Sequence, residues 1–288
     1  MAMILDGKAC AAAVKAEVKE KLAAHSHYFK HPPALGVVMV GDNPASEVYV
    51  RNKKKDCEEV GLGFVLKALP ANSSIPAIKN AIHLLNEAKG VTGIILQLPV
   101  EGLTGNKLQA VIDEIDWRKD VDGLTIISVA ATHLGLPFRF SPCTPTGITW
   151  LLNYYQAPWE GTNAVVLGRS NIVGKPMADL LLQHNCNVTT LHSKTSEADR
   201  LFALSHADLI ISATGQRGII KGSDIKQGAI VVDVGIIRGA DGKLYGDVDY
   251  ESVSPKASFI TPVPGGVGPM TRAMLIRNVA EAAFQYGW

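Results

Sequence analysis

Tyr49 and Lys53 are the first pair of side chains in this 288-residue chain that could move a proton. At about 100° per residue, positions i and i+4 of a helix share a face, while Lys54 and Lys55 swing away from it. Ser46 stands one turn earlier on the same side. A lysine carries protons only where burial or neighbours lower its pKa towards working pH. On an open face the same pair is a solvated stripe. Gln97 is a second candidate: it follows Ile94, Ile95 and Leu96 and precedes Leu98 and Pro99, at the carboxyl end of a predicted strand. Open α/β sheets bind ligands at that end. An amide buried there needs hydrogen-bond partners, and either a structural group or a ligand would serve. Asp120 and Asp122, before Gly123, are the third. Carboxylates at a glycine turn can grip the paired N–H donors of an amidine-like heterocycle edge. Without a nearby His or Glu cluster they make a poor metal site, and a plain Asx turn is the alternative.

A different chemistry is written at Gly168-Arg169-Ser170, continuing to Gly174, Lys175 and Pro176. This segment follows a predicted strand and opens a helix, where glycine lets the backbone approach a phosphate and free N–H groups face an anion. Ser170 replaces the second glycine of the usual dinucleotide fingerprint, so alone the segment also reads as a tight strand–helix turn. An NAD site usually carries an acid about 20 residues further on, bonding the ribose 2′-hydroxyl. Here the next strand ends in Leu191-His192-Ser193-Lys194-Thr195 with no acid. Ser193, Lys194 and Arg169 suit a 2′-phosphate and favour NADP; an exposed loop is the bland alternative. Residues 261–271 hold three glycines and three prolines. Flexible linkers are rich in Gly and Ser rather than Pro, so this reads as a shaped wall beside a ligand.

The elements that must position these groups alternate between strand and helix periods, the mark of βα units. Helices are predicted at 8–24, at 44–60 up to Gly61, around Ile78, Ile82 and Leu85, and around Leu108 to Ile115. Strands are predicted at 34–40, 64–69 and 91–98. A charged loop follows at 116–123. In the second half, Thr144 and Pro145 open a helix. Strands at 163–167, 187–191, 208–213 and 229–234 follow, and a last helix runs from about Thr271 to Tyr286. The domain boundary falls between residues 123 and 142, where Gly and Pro interrupt the pattern. Both halves read as mostly parallel sheets covered by helices.

Composition narrows the function classes. Lys and Arg number 28 against 27 Asp and Glu, a formal charge of +1, without the basic field that nucleic-acid or membrane-surface binding needs. The start lacks a signal-peptide pattern, and the apolar runs are too short to span a bilayer. Cys10, Cys57, Cys143 and Cys186 lie far apart, as expected of thiols in a reducing cytoplasm. His27 and His31 read as a surface pair, and no metal is expected.

Taken in order, 41–53, Gln97-Leu98-Pro99, 119–123, 142–145, 168–176, 192–195 and 264–271 resemble the bifunctional methylenetetrahydrofolate dehydrogenase/methenyltetrahydrofolate cyclohydrolase family along essentially the whole chain. The resemblance implies a two-domain α/β fold: an N-terminal three-layer substrate domain and a C-terminal Rossmann-type NADP domain, with a cleft between them. The expected division is 1–140, completed by 272–288, for folate and catalysis, and 141–271 for NADP. The implied reactions oxidise 5,10-methylenetetrahydrofolate with NADP and hydrolyse the methenyl product to 10-formyltetrahydrofolate. A dehydrogenase without the second step is the alternative, opposed by the presence of Lys53 with Gln97. By resemblance, Lys53 transfers the proton, Gln97 tunes it, Tyr49 packs against folate and Asp122 grips the pterin edge. Leu98, Pro99, Pro264, Gly265 and Gly266 would border the folate. Gly168, Arg169, Ser170, Ser193 and Ile236 would contact NADP. The resemblance also implies a cytoplasmic homodimer whose ligands are tetrahydrofolate one-carbon derivatives.

Overall fold

The structure, a computed structural model, describes residues 2–137 and 140–286. It divides into two compact units, Ala12–Cys143 with Arg272–Trp288, and Met1–Ala11 with Thr144–Thr271. The division falls inside the first helix, α1 (Gly7–Ala24), and inside the last, α10 (Val267–Tyr286).

The unit that carries Lys53 is built on a three-stranded parallel sheet. Its order is β3 (Gly63–Leu69), β2 (Ala34–Val40), β4 (Val91–Leu96). β2 is central and almost wholly buried, so it reads as a continuous apolar run, as parallel strands do. Helix α2 (Pro44–Val60) follows β2, and α3 (Ile75–Glu87) follows β3. In α3 the Ser74 hydroxyl accepts from the Ala77 N–H, and Ile78, Ala81, Ile82 and Leu85 form the buried stripe. Each large apolar side chain so buried contributes about 1.5–3 kcal/mol. They pack on Val38, Ile94 and Leu96, with Val111 and Ile112 of α4 (Gly105–Ile112).

Two details differ from the sequence expectation. β4 stops at Leu96 rather than at residue 98, and the Leu98–Pro99 peptide is cis. The stretch expected to be a broken boundary contains a helix, α5 (Ile126–Leu134), capped by the Thr125 hydroxyl and closed by left-handed Gly135. Ile126, Ile127, Val129 and Leu134 are exposed on it, so it lacks the one-sided stripe that periodicity detects. Residues 138 and 139 of that stretch, and 287 and 288 of the expected C-terminal segment, lie outside the described residues.

The other unit has a six-stranded parallel sheet. Its order is β1 (Met3–Ile4), β11 (Phe259–Ile260), β8 (Ile230–Asp233), β7 (Leu209–Ser212), β5 (Asn163–Leu167), β6 (Asn187–Leu191). β5 lies between β6 and β7, so the strand order reverses there, the place where doubly wound sheets bind ligands. Helix α6 (Cys143–Tyr154) precedes β5. Helices α7 (Gly174–Gln183) and α8 (Glu197–His206) follow β5 and β6. β9 (Ile237–Arg238) and β10 (Leu244–Tyr245) form a small antiparallel pair, and α9 (Tyr250–Val253) precedes β11. The expected division put residues 1–11 with the N-terminal domain. In the structure the Met3 N–H donates to the Ser258 carbonyl at 2.7 Å and the Leu5 N–H to that of Ile260 at 2.8 Å. Those hydrogen bonds tie the segment to the six-stranded sheet. Among the described residues no helix is long and apolar enough to cross a membrane.

Candidate active site and dinucleotide pocket

Helix α2 leaves Tyr49 44 % exposed and Lys53 half-buried. The Lys53 ammonium donates to Gln97 Oε1 at 2.8 Å, and Gln97 Nε2 donates to the Leu98 carbonyl at 2.7 Å. The buried Gln97 amide therefore has a partner at each end, which answers the cost of its burial. Its backbone N–H still pairs with the Val38 carbonyl at 2.8 Å, so the sheet fixes where the amide begins. Desolvation lowers the Lys53 pKa, opposed by the nearby Asp122 charge and by the Cys143 and Cys57 thiols. Burial pushes the Asp122 carboxyl the other way, upwards, against the pull of Lys53. Each group thus favours the other's charged form, against the desolvation that disfavours both.

The paired aspartates have different duties. Asp120 is buried, and its carboxylate accepts from the N–H groups of Gly123, Leu124 and Thr125 at 3.0, 3.2 and 2.8 Å, and from the Thr125 hydroxyl at 2.6 Å. It is the Asx-type organiser of the turn. Lys119, also buried, donates to the Asn86 carbonyl at 2.7 Å and anchors the approach to it. Gly93 lets that approach lie close to β4, since a Cβ there would stand 2.6 Å from Val121. Cys143 and Asn278 both donate to the Val121 carbonyl. Asn278 carries no sequence signal, because its partner lies 157 positions away.

The second site is in the other unit. Gly168 has φ of 122°, and a Cβ there would stand 2.5 Å from the Ala213 carbonyl oxygen; one on Gly174 would stand 2.2 Å from that of Gly168. Only glycine permits this close strand–turn–helix packing. The Ser170 hydroxyl accepts from the Val173 and Gly174 N–H groups at 3.2 and 3.4 Å. The residue replacing the second fingerprint glycine thus caps the turn into α7. A pocket of about 530 Å³ opens here, lined among others by Gly168, Arg169, Ser170, His192, Ser193 and Thr214. Asp247 shapes its far wall, accepting from the Ser212 and Thr214 hydroxyls and from the Thr214 and Gln216 N–H groups. Arg200 of α8 also lines the pocket, its guanidinium held by the Ile219 carbonyl at 2.9 Å. Nothing in its sequence neighbourhood marks it. Lys194 does not line the pocket. The positive-φ glycine turn, the cap and the cations fit a dinucleotide phosphate chain.

Ile236, 52 % exposed, lies beyond the end of β8 and beside Gly268 rather than in the pocket lining. The Pro264-Gly265-Gly266 loop packs tightly: a Cβ on Gly7 would stand 1.7 Å from the Gly266 carbonyl oxygen. Tyr49, Lys53, Gln97, Leu98, Pro99 and Asp122 therefore belong to one unit. Gly168, Arg169, Ser170, Ser193, Ile236 and the 264–266 loop belong to the other.

A substrate unit with a desolvated lysine, joined in one chain to a Rossmann-type unit, defines a nicotinamide-dependent α/β oxidoreductase. Residues 5–122 match the catalytic domain, and 142–286 the NAD(P)-binding domain, of tetrahydrofolate dehydrogenase/cyclohydrolase. The chain belongs to that family. It is 48 % identical to the bifunctional protein FolD of Campylobacter curvus over 280 residues, 97 % of this chain and 95 % of that one. The bifunctional FolD structure from Campylobacter jejuni superposes with a TM-score of 0.95 at 43 % identity, covering 99 % of both chains. The Trypanosoma brucei enzyme, solved with NADP and an inhibitor, gives 0.92 at 34 % identity, covering 98 % of this chain and 97 % of that one.

Proposed function

We propose that Lys53, Gln97 and Asp122 carry the folate chemistry of a bifunctional enzyme whose cofactor is NADP. The enzyme oxidises 5,10-methylenetetrahydrofolate to the methenyl cation and hydrolyses that cation to 10-formyltetrahydrofolate. NADP supplies the hydride acceptor for the first step. The protein's share of that step is placement, because the substrate nitrogen lone pair stabilises the developing cation. Asp122 takes the N–H donors of the pterin edge, Tyr49 packs on the ring, and Leu98 and Pro99 border it. Gly168, Arg169, Ser170, Ser193 and Ile236 hold the cofactor.

Hydrolysis needs a proton carrier. Neutral Lys53 takes a proton from the water that adds to the methenyl carbon. It then returns that proton to the ring nitrogen as the carbon–nitrogen bond opens, and the adduct's hydroxyl proton leaves to water as the formyl carbonyl forms. Desolvation lowers the lysine's pKa and so eases loss of its proton beside the substrate cation. Gln97 Oε1 holds the amine in line, its amide fixed by the Leu98 carbonyl. The 2.8 Å Lys53–Gln97 hydrogen bond carries this reading, since it joins the carrier to a rigid strand end.

The folate function occupies the unit of residues 12–143 with 272–288, and the NADP function the unit of 144–271 with 1–11. The working form is a cytoplasmic homodimer; the family resemblance supports this, and light scattering tests the oligomeric state. The activity is tested by ultraviolet spectra of protein with methylenetetrahydrofolate and either NADP or NAD. Reduced cofactor with only transient methenyl absorption, faster with NADP, is expected. Methenyl accumulating to its uncatalysed decay rate would remove Lys53 from its role.

A further inference from the structure

We infer that Asn278 is a positioning residue that aims Asp122 at the substrate, with Cys143 as its helper. The inference rests on the reading of Asp122 as the pterin-binding carboxylate. The segment carrying Asp122 is held on both sides. Downstream, the Asp120 carboxylate takes the N–H groups of Gly123, Leu124 and Thr125. Upstream, the Val121 carbonyl, whose peptide plane leads directly into Asp122, accepts from Asn278 Nδ2 at 2.9 Å and lies 3.3 Å from Cys143 Sγ. The Val121 side chain is fully buried, and its N–H donates to the Lys119 carbonyl at 2.9 Å. Side chain, N–H and carbonyl of the residue before Asp122 are all fixed.

Asn278 is not needed to dock its helix. The Thr92 hydroxyl already donates to the Val279 carbonyl at 3.0 Å, and Met274, Ile276, Val279 and Ala282 bury the apolar face around it. An amide 3 % exposed in such a face costs stability unless its hydrogen bonds return it. Its Nδ2 also lies 3.7 Å from Cys143 Sγ, while the Cys143 thiol stands against the Asp122 carboxyl. Asn278, Cys143 and Asp122 thus form one buried chain of contacts that ends at the ligand-binding group. A carboxylate aimed at two N–H donors loses affinity when it turns by a fraction of an ångström.

The test measures dissociation constants for tetrahydrofolate and for NADP by calorimetry, so that no turnover is needed. Asn278→Leu, of similar size but without a donor, is expected to weaken tetrahydrofolate about tenfold and leave NADP unchanged. Cys143→Ala is expected to weaken it about threefold, and Cys143→Ser, which keeps a donor, to recover the loss. On an Asp122→Ala background the Asn278→Leu penalty should disappear, since nothing remains to aim. A penalty that persists there, or that reaches NADP equally, makes Asn278 merely structural and overturns the inference. Asp122→Ala without effect would remove the reading of Asp122 and this inference together. Asp122→Ala weakening folate while Asn278→Leu does not would remove the inference alone. If Asn278→Leu does not fold, the Cys143 pair decides: Ala and Ser variants binding alike would overturn it.

Discussion

Lys53 and Gln97 are joined by a 2.8 Å hydrogen bond in which the amide oxygen faces the amine and the amide nitrogen is tied to the strand's own exit at Leu98. The amide cannot turn over without losing both bonds. Gln97→Glu would place a carboxylate against the lysine and hold it protonated. Cyclohydrolase activity at neutral pH should fall about 10²-fold, the scale of one positioned proton carrier, with a far smaller loss in hydride transfer. Separate assays of the two steps check this. Equal losses in both would mean that Gln97 serves binding alone.

The direction of the Lys53 shift fixes a pH response. Its pKa lies below the ordinary 10.5, so the unfolded chain binds that proton more tightly than the folded one. Stability from this group therefore rises with pH between the folded and unfolded values, and the ammonium is a liability below both. Lys53→Met should raise the melting temperature by about 2–4 °C at neutral pH while abolishing cyclohydrolase activity. A melting temperature that falls would show that the ammonium stabilises the fold.

Asp233 supplies an opposite titration. Its carboxyl accepts from the N–H groups of Gly235, Asp247 and Val248, yet burial raises its pKa to about 6. A carboxyl raised in the folded state contributes most below its unfolded pKa of 3.8, and that contribution is lost as pH rises through about 6. Asp233→Asn points its NH₂ at one of those donors and should cost about 1–3 kcal/mol at pH 5. The wild-type advantage should shrink between pH 4 and 7, as read by thermal melts. An advantage that grows over this range would mean the carboxylate is the favoured form.

Cofactor choice is testable at the pocket rim. Arg169→Ala and Ser193→Ala should each raise the KM for NADP about 5–20-fold with little change for NAD, because only the former carries the 2′-phosphate. Lys194→Ala, outside the lining, should change either by no more than about twofold. A large Lys194 effect would shift the phosphate contact to that side chain.

The features that the sequence made legible have local signals. The i, i+4 spacing of Tyr49 and Lys53, the amide at the end of an apolar run and the strand–glycine–helix turn at Gly168 all depend on a few neighbouring residues. α5 was hidden because its β-branched, half-exposed run has no helical stripe; its only marks are the caps Thr125 and Gly135. β1 and β11 are two residues long, too short for period 2 to register. Arg200 and Asn278 could not be read at all, since each acquires its partner through tertiary approach. Asp120 and Asp122 looked equivalent as letters, and only the turn's N–H groups separate the organiser Asp120 from Asp122, which faces Lys53 and Cys143.

The two residues of β1 cover one side of β11, whose other side is taken by β8. A chain trimmed to the first residue of the matched catalytic domain, Leu5, would lose this strip and bare a row of backbone donors and acceptors on an apolar sheet. Such an edge recruits strands from neighbouring molecules. Residues 3 and 4 are thus the terminal strand of this sheet, and their removal would pass its open edge to β11.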